Sequence, residues 1–150
     1  LATYLTGTHA THVTGFAANV GGQPLDVEDS AAVALKYANG TLGTLTSGYY
    51  LDRGYHTHIK IWGSQGWVQL ERVEGKPLTW QSWKPGAKAG VQTWEGSTEP
   101  RGYTPFVQAA VKAAAGLADA PISSAESLRA LQTVYGLYQA HATGRTQTIG

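Results

Sequence analysis

The sequence predicts an α+β domain: an open, mainly antiparallel (mixed) β-sheet with two C-terminal helices packed on one face. Three observations carry that expectation. From about His9 to Glu71 the apolar residues alternate with the period of two that strands require, and two glycine-marked breaks fold this stretch into hairpins. After Pro100 the period lengthens to that of a helix, in a stretch rich in alanine. Strands that precede helices, instead of alternating with them, place the helices together on one side of an antiparallel or mixed sheet.

The opening Leu1-Ala2-Thr3-Tyr4-Leu5-Thr6-Gly7 reads as the tail of a helix with Gly7 as its C-cap, and hence as the start of a fragment. Residues 11–20 form the first strand, which Gly21-Gly22-Gln23-Pro24 interrupts. Next come residues 29–38 and 41–50, two extended runs joined by Asn39-Gly40. That dipeptide predicts a two-residue hairpin turn, since both residues tolerate positive φ. With Ala38 opposite Thr41, one face carries Val33, Leu35, Tyr37, Leu42, Thr44 and Thr46 and belongs under helices. The other carries Ala32, Ala34, Lys36, Gly43, Leu45 and Ser47. So small and flat a face either meets another sheet, leaving it free for subunit association, or simply faces water.

A second hairpin comes next, with residues 56–62 and 66–71 joined by Gly63-Ser64-Gln65. Thr57, Ile59, Ile61, Val68 and Leu70 alternate onto one side; His58, Lys60, Trp62, Trp67, Gln69 and Glu71 take the other. Residues 77–95, with Leu78, Trp80, Trp83, Val91 and Trp94, hold one or two further strands. The spacing of Phe106, Val107, Ala110, Val111, Ala114 and Leu117 predicts a helix over residues 103–117. A second helix starts at Ser123 or Ser124, with Glu126 completing a capping box if Ser123 is the cap, and stops near Gly144.

With 150 residues, 42% hydrophobic and 14% charged, the chain is expected to be one domain with one core. The net charge of +1 is scattered singly, without the basic stripe that nucleic acid requires, so no nucleic-acid partner is expected. The absence of cysteine excludes a disulfide framework, thiolate metal sites and thiol catalysis, and fits a cytoplasmic location. No apolar run approaches the roughly 18 residues of a membrane span, and no leader sequence is evident.

Sites for chemistry are sparse. His56 and His58 would point to one face of a strand and could share a metal, yet no acidic residue lies in that short strand to join them. His9, His12 and His141 have no ligand spacing. No Gly-x-Ser-x-Gly elbow, Gly-x-Gly-x-x-Gly turn or Gly-x-x-x-x-Gly-Lys-Ser/Thr loop is present. No catalytic, cofactor-binding or metal-binding residue is therefore expected. One segment has the composition of a binding surface: Tyr49-Tyr50-Leu51-Asp52-Arg53-Gly54-Tyr55-His56. Tyrosine rings stack on the apolar face of a sugar, while Asp and Arg exchange hydrogen bonds with its hydroxyls. Tyr50, Asp52, Arg53, Tyr55 and His56 are the candidate substrate-binding residues; the alternative is a surface loop anchored by buried tyrosines.

Four stretches, in order, resemble one family. Residues 27–45 are similar to the "v-e-D-x-a-x-x-x-l-x-f-x-n-G-x-x-g-x-l" hairpin of the glucose–fructose oxidoreductase and inositol dehydrogenase (Gfo/Idh/MocA) family. Residues 59–66 resemble its "i-x-i-x-G-t-x-G" hairpin. Residues 123–145 resemble its closing helix, and residues 1–7 the end of the helix before its first strand.

The resemblance implies a two-domain parent. An N-terminal Rossmann domain, absent from this chain, would bind NAD or NADP, and residues 1–150 would be the single C-terminal substrate-binding and oligomerisation domain. The family's catalytic lysine and histidine lie in motifs that precede this segment, so none is carried over. The chain is then expected to be a dehydrogenase fragment, inactive alone and binding no cofactor, whose parent acts on a sugar, polyol or related hydroxy compound as a homodimer or homotetramer. Two alternatives stay open: a non-enzymatic carbohydrate-binding or assembly module with exposed Trp62, Trp67 and Trp80, and a catalytically dead scaffold.

Overall fold

The computed structural model describes residues 2–22, 24–49, 57–71, 78–94 and 102–150. These form two compact units, one of residues 1–50 and 103–150, the other of residues 51–102. Each unit carries a four-stranded antiparallel sheet. Both sheets are open, and the α+β class expected from the sequence holds.

In the first unit the strands are β1 (Ala10–Ala18), β2 (Ser30–Tyr37), β3 (Leu42–Gly48) and β8 (Gln147–Thr148), in the order β3-β2-β1-β8. Three helices accompany them: α1 (Ala2–Thr6), α2 (Tyr103–Ala114) and α3 (Ser124–Thr143). The core forms where α3 crosses β1 and β8. Val13, Leu137 and Ile149 are buried together, with Ala10, Ala31, Val33 and Leu35 packed around them. Gly136 lets the helix come this close. α2 carries no buried residue.

The β2–β3 hairpin departs from its expected register by one residue. Its loop is Ala38, Asn39 and Gly40, and only Gly40 takes positive φ, at 85°. The Gly40 N–H donates to the Tyr37 carbonyl at 2.9 Å, and the Tyr37 N–H to the Thr41 carbonyl at 2.9 Å. Asn39 contributes through its side chain, whose Oδ1 accepts from the Thr41 N–H at 3.1 Å, in place of a left-handed backbone. A three-residue loop with one left-handed glycine is the next commonest solution after the two-residue turn. Because the side-chain period is two, the slip moves every β3 residue to the opposite face. Leu45 now pairs with Val33 and Gly43 with Leu35, on the side that α3 covers. Leu42, Thr44 and Thr46 pair with Lys36, Ala34 and Ala32 on the other side.

That other side is bare. Thr44 and Thr46 are exposed along its β3 edge beside Leu42 (76%), and Phe16 (74%) and Ala18 are exposed on β1. On the α3 side Gly43 leaves room for the buried ring of Tyr37: a Cβ there would lie 3.1 Å from Tyr37 Cε2.

α3 is bounded as its sequence requires. Ser123 accepts from the Glu126 N–H, Glu126 reaches back to the Ser123 N–H, and Gly144 closes the helix at φ 65° with its N–H on the Ala140 carbonyl. β8, just beyond this cap, has no counterpart in the sequence-based expectation. Two residues are too few to show a period, yet they pair with His12 and Val13 and set Ile149 in the core.

The second unit holds β4 (His58–Gly63), β5 (Gly66–Glu71), β6 (Leu78–Ser82) and β7 (Gln92–Trp94), in chain order. The β4–β5 register pairs Trp62 with Trp67, Ile61 with Val68 and His58 with Glu71, which reproduces the two faces expected. β6 adds Thr79 and Gln81 beside Gln69 and Trp67, and Leu78 and Trp80 beside Leu70 and Val68.

Candidate functional site

Tyr50, Asp52, Arg53, Tyr55 and His56 lie outside the described residues. The structure supplies the anchorage of their segment at either end, where β3 delivers the chain and β4 receives it.

On the β3 side the anchor is Asp29, 5% exposed. Its carboxylate accepts from the Val20 N–H (3.1 Å to each oxygen), the Gly21 N–H (2.8 Å) and the Ser30 hydroxyl (2.8 Å). Its own N–H donates to the Ala18 carbonyl at 3.1 Å, and its carbonyl accepts from the Tyr49 N–H at 2.8 Å. One residue thus ties together the end of β1, the start of β2 and the exit of β3. Burial works against the charged form of Asp29, but the hydrogen bonds from Val20, Gly21 and Ser30 outweigh it and hold the carboxyl below its usual range.

The neighbouring residue ties the same corner to a helix. The Tyr138 hydroxyl of α3 donates to Glu28 Oε1 at 2.6 Å. That bond lowers the Glu28 carboxyl and raises the Tyr138 hydroxyl. Tyr135 sets its ring edge-on to Tyr138, with centroids 6.2 Å apart. Tyr49 itself is 78% exposed, immediately before the candidate segment. In the sequence, Glu28 and Asp29 belong to the family-like stretch but carry no assigned work. The available signal was an Asp at a strand start, eight residues after Gly21, in a turn whose backbone N–H groups needed an acceptor.

On the β4 side, His58 Nδ1 lies 3.0 Å from Glu71 Oε1 across the strand pair, and Gln69 Nε2 donates to the same oxygen at 2.7 Å. Lys60 Nζ sits 5.3 Å from the Trp62 ring centroid and 4.6 Å from that of Trp67, a cation over two π faces. His58 therefore has a carboxylate partner from the neighbouring strand, which reading the histidine's own strand could not reveal. Among the described residues no three His, Asp or Glu side chains gather where they could hold a metal ion.

Residues 1–69 match a family model described as the GFO/IDH/MocA C-terminal domain, in agreement with the resemblance drawn from residues 27–45 and 59–66. No curated protein sequence matches the chain. Solved structures match nearly all of it. An oxidoreductase domain protein from Kribbella flavida aligns with TM-score 0.83 and 19% identity over 99% of this chain and 47% of its own. Levoglucosan dehydrogenase, solved with NADH, gives 0.82 and 17% over 99% and 47%. An aldose-aldose oxidoreductase from Caulobacter crescentus, complexed with glycerol, gives 0.78 and 18% over 98% and 43%. The chain therefore spans less than half the length of each of these structures, and shares their fold.

Proposed function

We propose that this chain, whose first 69 residues match a GFO/IDH/MocA C-terminal domain, is the substrate-side half of an NAD(P)-dependent dehydrogenase of a sugar, polyol or related hydroxy compound. The observation that carries the reading is the Asp29 corner. It fixes the end of β3 from which the Tyr- and Arg-containing segment departs, so that segment leaves a rigid support. Tyr50, Asp52, Arg53, Tyr55 and His56 then line the pocket, the rings against the apolar face of the substrate and the charged groups on its hydroxyls.

In such an enzyme the nicotinamide accepts hydride from a carbon bearing a hydroxyl, which becomes a carbonyl. At the N-terminus of α3 the residues do not fit a dinucleotide phosphate: the Ser123 hydroxyl already accepts from the Glu126 N–H, and the Glu126 carboxylate sets a negative charge there. The cofactor and the proton-transferring groups belong to the rest of the parent protein. This chain binds and orients the substrate, and does no redox chemistry alone.

The bare face of the first sheet, with Phe16, Ala32, Ala34, Leu42, Thr44 and Thr46, serves as the surface on which subunits pair into a homodimer or homotetramer. A cytoplasmic location belongs to the same reading; among the described residues no helix is long and apolar enough to cross a membrane.

Steady-state kinetics of the full-length parent test the pocket. Arg53→Ala and Tyr55→Ala are expected to lower kcat/KM at least tenfold while NADH affinity holds, and unchanged kcat/KM would refute the assignment. Light scattering tests the pairing surface: Phe16→Glu should convert the oligomer to monomer.

A further inference from the structure

The second sheet has two unlike faces. Ile59, Ile61, Val68, Leu70, Leu78 and Trp80 share one of them, which takes all the aliphatic residues of β4, β5 and β6. The opposite face carries Lys60, Trp62, Trp67, Gln69 and Gln81. Trp80, which the sequence grouped with Trp62 and Trp67, therefore stands apart from them. Once one face of an antiparallel sheet has gathered the apolar side chains, the other is expected to be polar. Two tryptophans on that polar face, Trp62 at 70% exposed, do not serve the core.

Their surroundings are those of a binding surface. Trp62 and Trp67 are partners across β4 and β5, and Lys60 Nζ lies against both rings. Glu71, the carboxylate of this face, is taken by His58 and Gln69. Among the described residues the Lys60 ammonium meets no carboxylate, and the Gln81 amide, on the strand beside Trp67, has no hydrogen-bond partner. Cross-strand contact between the rings stabilises the hairpin, but it leaves a positioned cation without a counter-charge.

A ligand that completes this face has a flat apolar side for the indoles, an anionic group for the ammonium and hydroxyls for the amide. A hexuronate ring combines all three. An acidic peptide brings the carboxylate without the flat apolar side, and a neutral sugar brings the ring without the charge.

We propose that the Lys60, Trp62 and Trp67 face of the second sheet binds the hexuronate unit of an acidic saccharide. Trp62 is the stacking surface, Lys60 the partner of the carboxylate and Gln81 the partner of a hydroxyl. This site goes beyond the dehydrogenase reading and does not depend on it, since neither hydride transfer nor a cofactor enters it.

Nuclear magnetic resonance of the indole N–H groups reads the site ring by ring, with Trp62→Phe and Trp67→Phe identifying the two signals. Methyl β-D-glucuronide is expected to move both signals in a saturable titration in the millimolar range. Methyl β-D-glucoside has the same ring with a hydroxymethyl group in place of the carboxylate, and should bind about fivefold more weakly. Equal affinity for the two glycosides overturns the proposal, and so does the absence of movement at both indoles. Sodium acetate is the control for the ring: if it moves the signals as strongly as the glucuronide, the ammonium takes any carboxylate and the proposal fails. These titrations need no altered protein to decide the matter. Lys60→Gln then locates the charge, because it should erase the difference between the two glycosides while the weaker binding persists. A difference that survives in Lys60→Gln would mean that the carboxylate is read elsewhere, and would overturn the proposal as well.

Discussion

Gly136 of α3 and Val13 of β1 meet where no side chain could fit between them: a Cβ on Gly136 would lie 2.7 Å from Val13 Cγ1. Val13 is fully buried and β-branched, so its methyl has no free rotamer to retreat into. Alanine in a helix is worth about 1 kcal/mol over glycine, but overpacking a core costs about 1–3 kcal/mol. The overlap wins. Gly136→Ala is expected to lower the urea midpoint by a net loss of up to about 2 kcal/mol, with an unchanged slope. Adding Val13→Ala should make the glycine replacement less costly than it is alone, and strict additivity in that double-mutant cycle would show the contact to be unimportant.

Gly66 shows a glycine of the second kind, fixed by backbone. It opens β5 at φ 145°, and a Cβ there would overlap the Gln81 carbonyl oxygen and lie 3.0 Å from Ser82 Cα. Neither atom is the end of a flexible side chain. Gly66→Ala should therefore break β5–β6 pairing, read as faster exchange of the β6 amides. Gly63, three residues earlier, would meet only the Gly66 carbonyl at 3.7 Å, an ordinary contact. Gly63→Ala is the control, and equal damage from both would show that backbone overlap is not the cause.

These glycines show what the sequence could and could not convey. Gly66 sits within a recognisable hairpin pattern, and the two faces of that hairpin are legible from alternation alone, because Trp62–Trp67 and Ile61–Val68 leave one register in which like meets like. Asn39-Gly40 failed as a register marker. Two loop lengths suit the same dipeptide, and the choice between them depends on the Asn39 side chain bonding Thr41. β8 was invisible because its pairing with β1 is wholly non-local. The role of Asp29 had only the indirect signal of an acidic residue at a strand start after a glycine turn, and its backbone partners, eight and nine residues away in sequence, became evident only in the structure. Helix α3, by contrast, carried both its ends in local chemistry.

That local chemistry is measurable. Ser123 takes β-region angles (φ −75°, ψ 154°) and its hydroxyl accepts from the Glu126 N–H at 3.2 Å. Ser123→Ala leaves this N–H without its side-chain acceptor and is expected to cost about 1 kcal/mol. Ser123→Thr should restore most of that loss, since its hydroxyl can both accept from the Glu126 N–H and donate to the Glu126 carboxylate. Chemical denaturation of the three proteins at neutral pH decides it, and an alanine variant as stable as the parent would show that the capping box contributes nothing here.

The Asp29 corner should give the protein part of its acid sensitivity. The folded-state carboxyl is held below its ordinary value of 3.8, so the ionised form is the one the fold prefers. Its contribution is complete above that value and disappears as pH falls through the lower folded-state value, where protonation removes the charge that holds the Val20 and Gly21 N–H groups. Asp29→Asn keeps one acceptor oxygen but no charge. It should be less stable than the parent at neutral pH, and the gap should close as pH drops below 3.8. Glu28 and Glu126, also lowered, add the same sign of pH dependence to both proteins and cancel in the comparison. Urea midpoints measured across the acid range test this directly. A gap that stays constant with pH would mean that Asp29 acts through shape rather than charge.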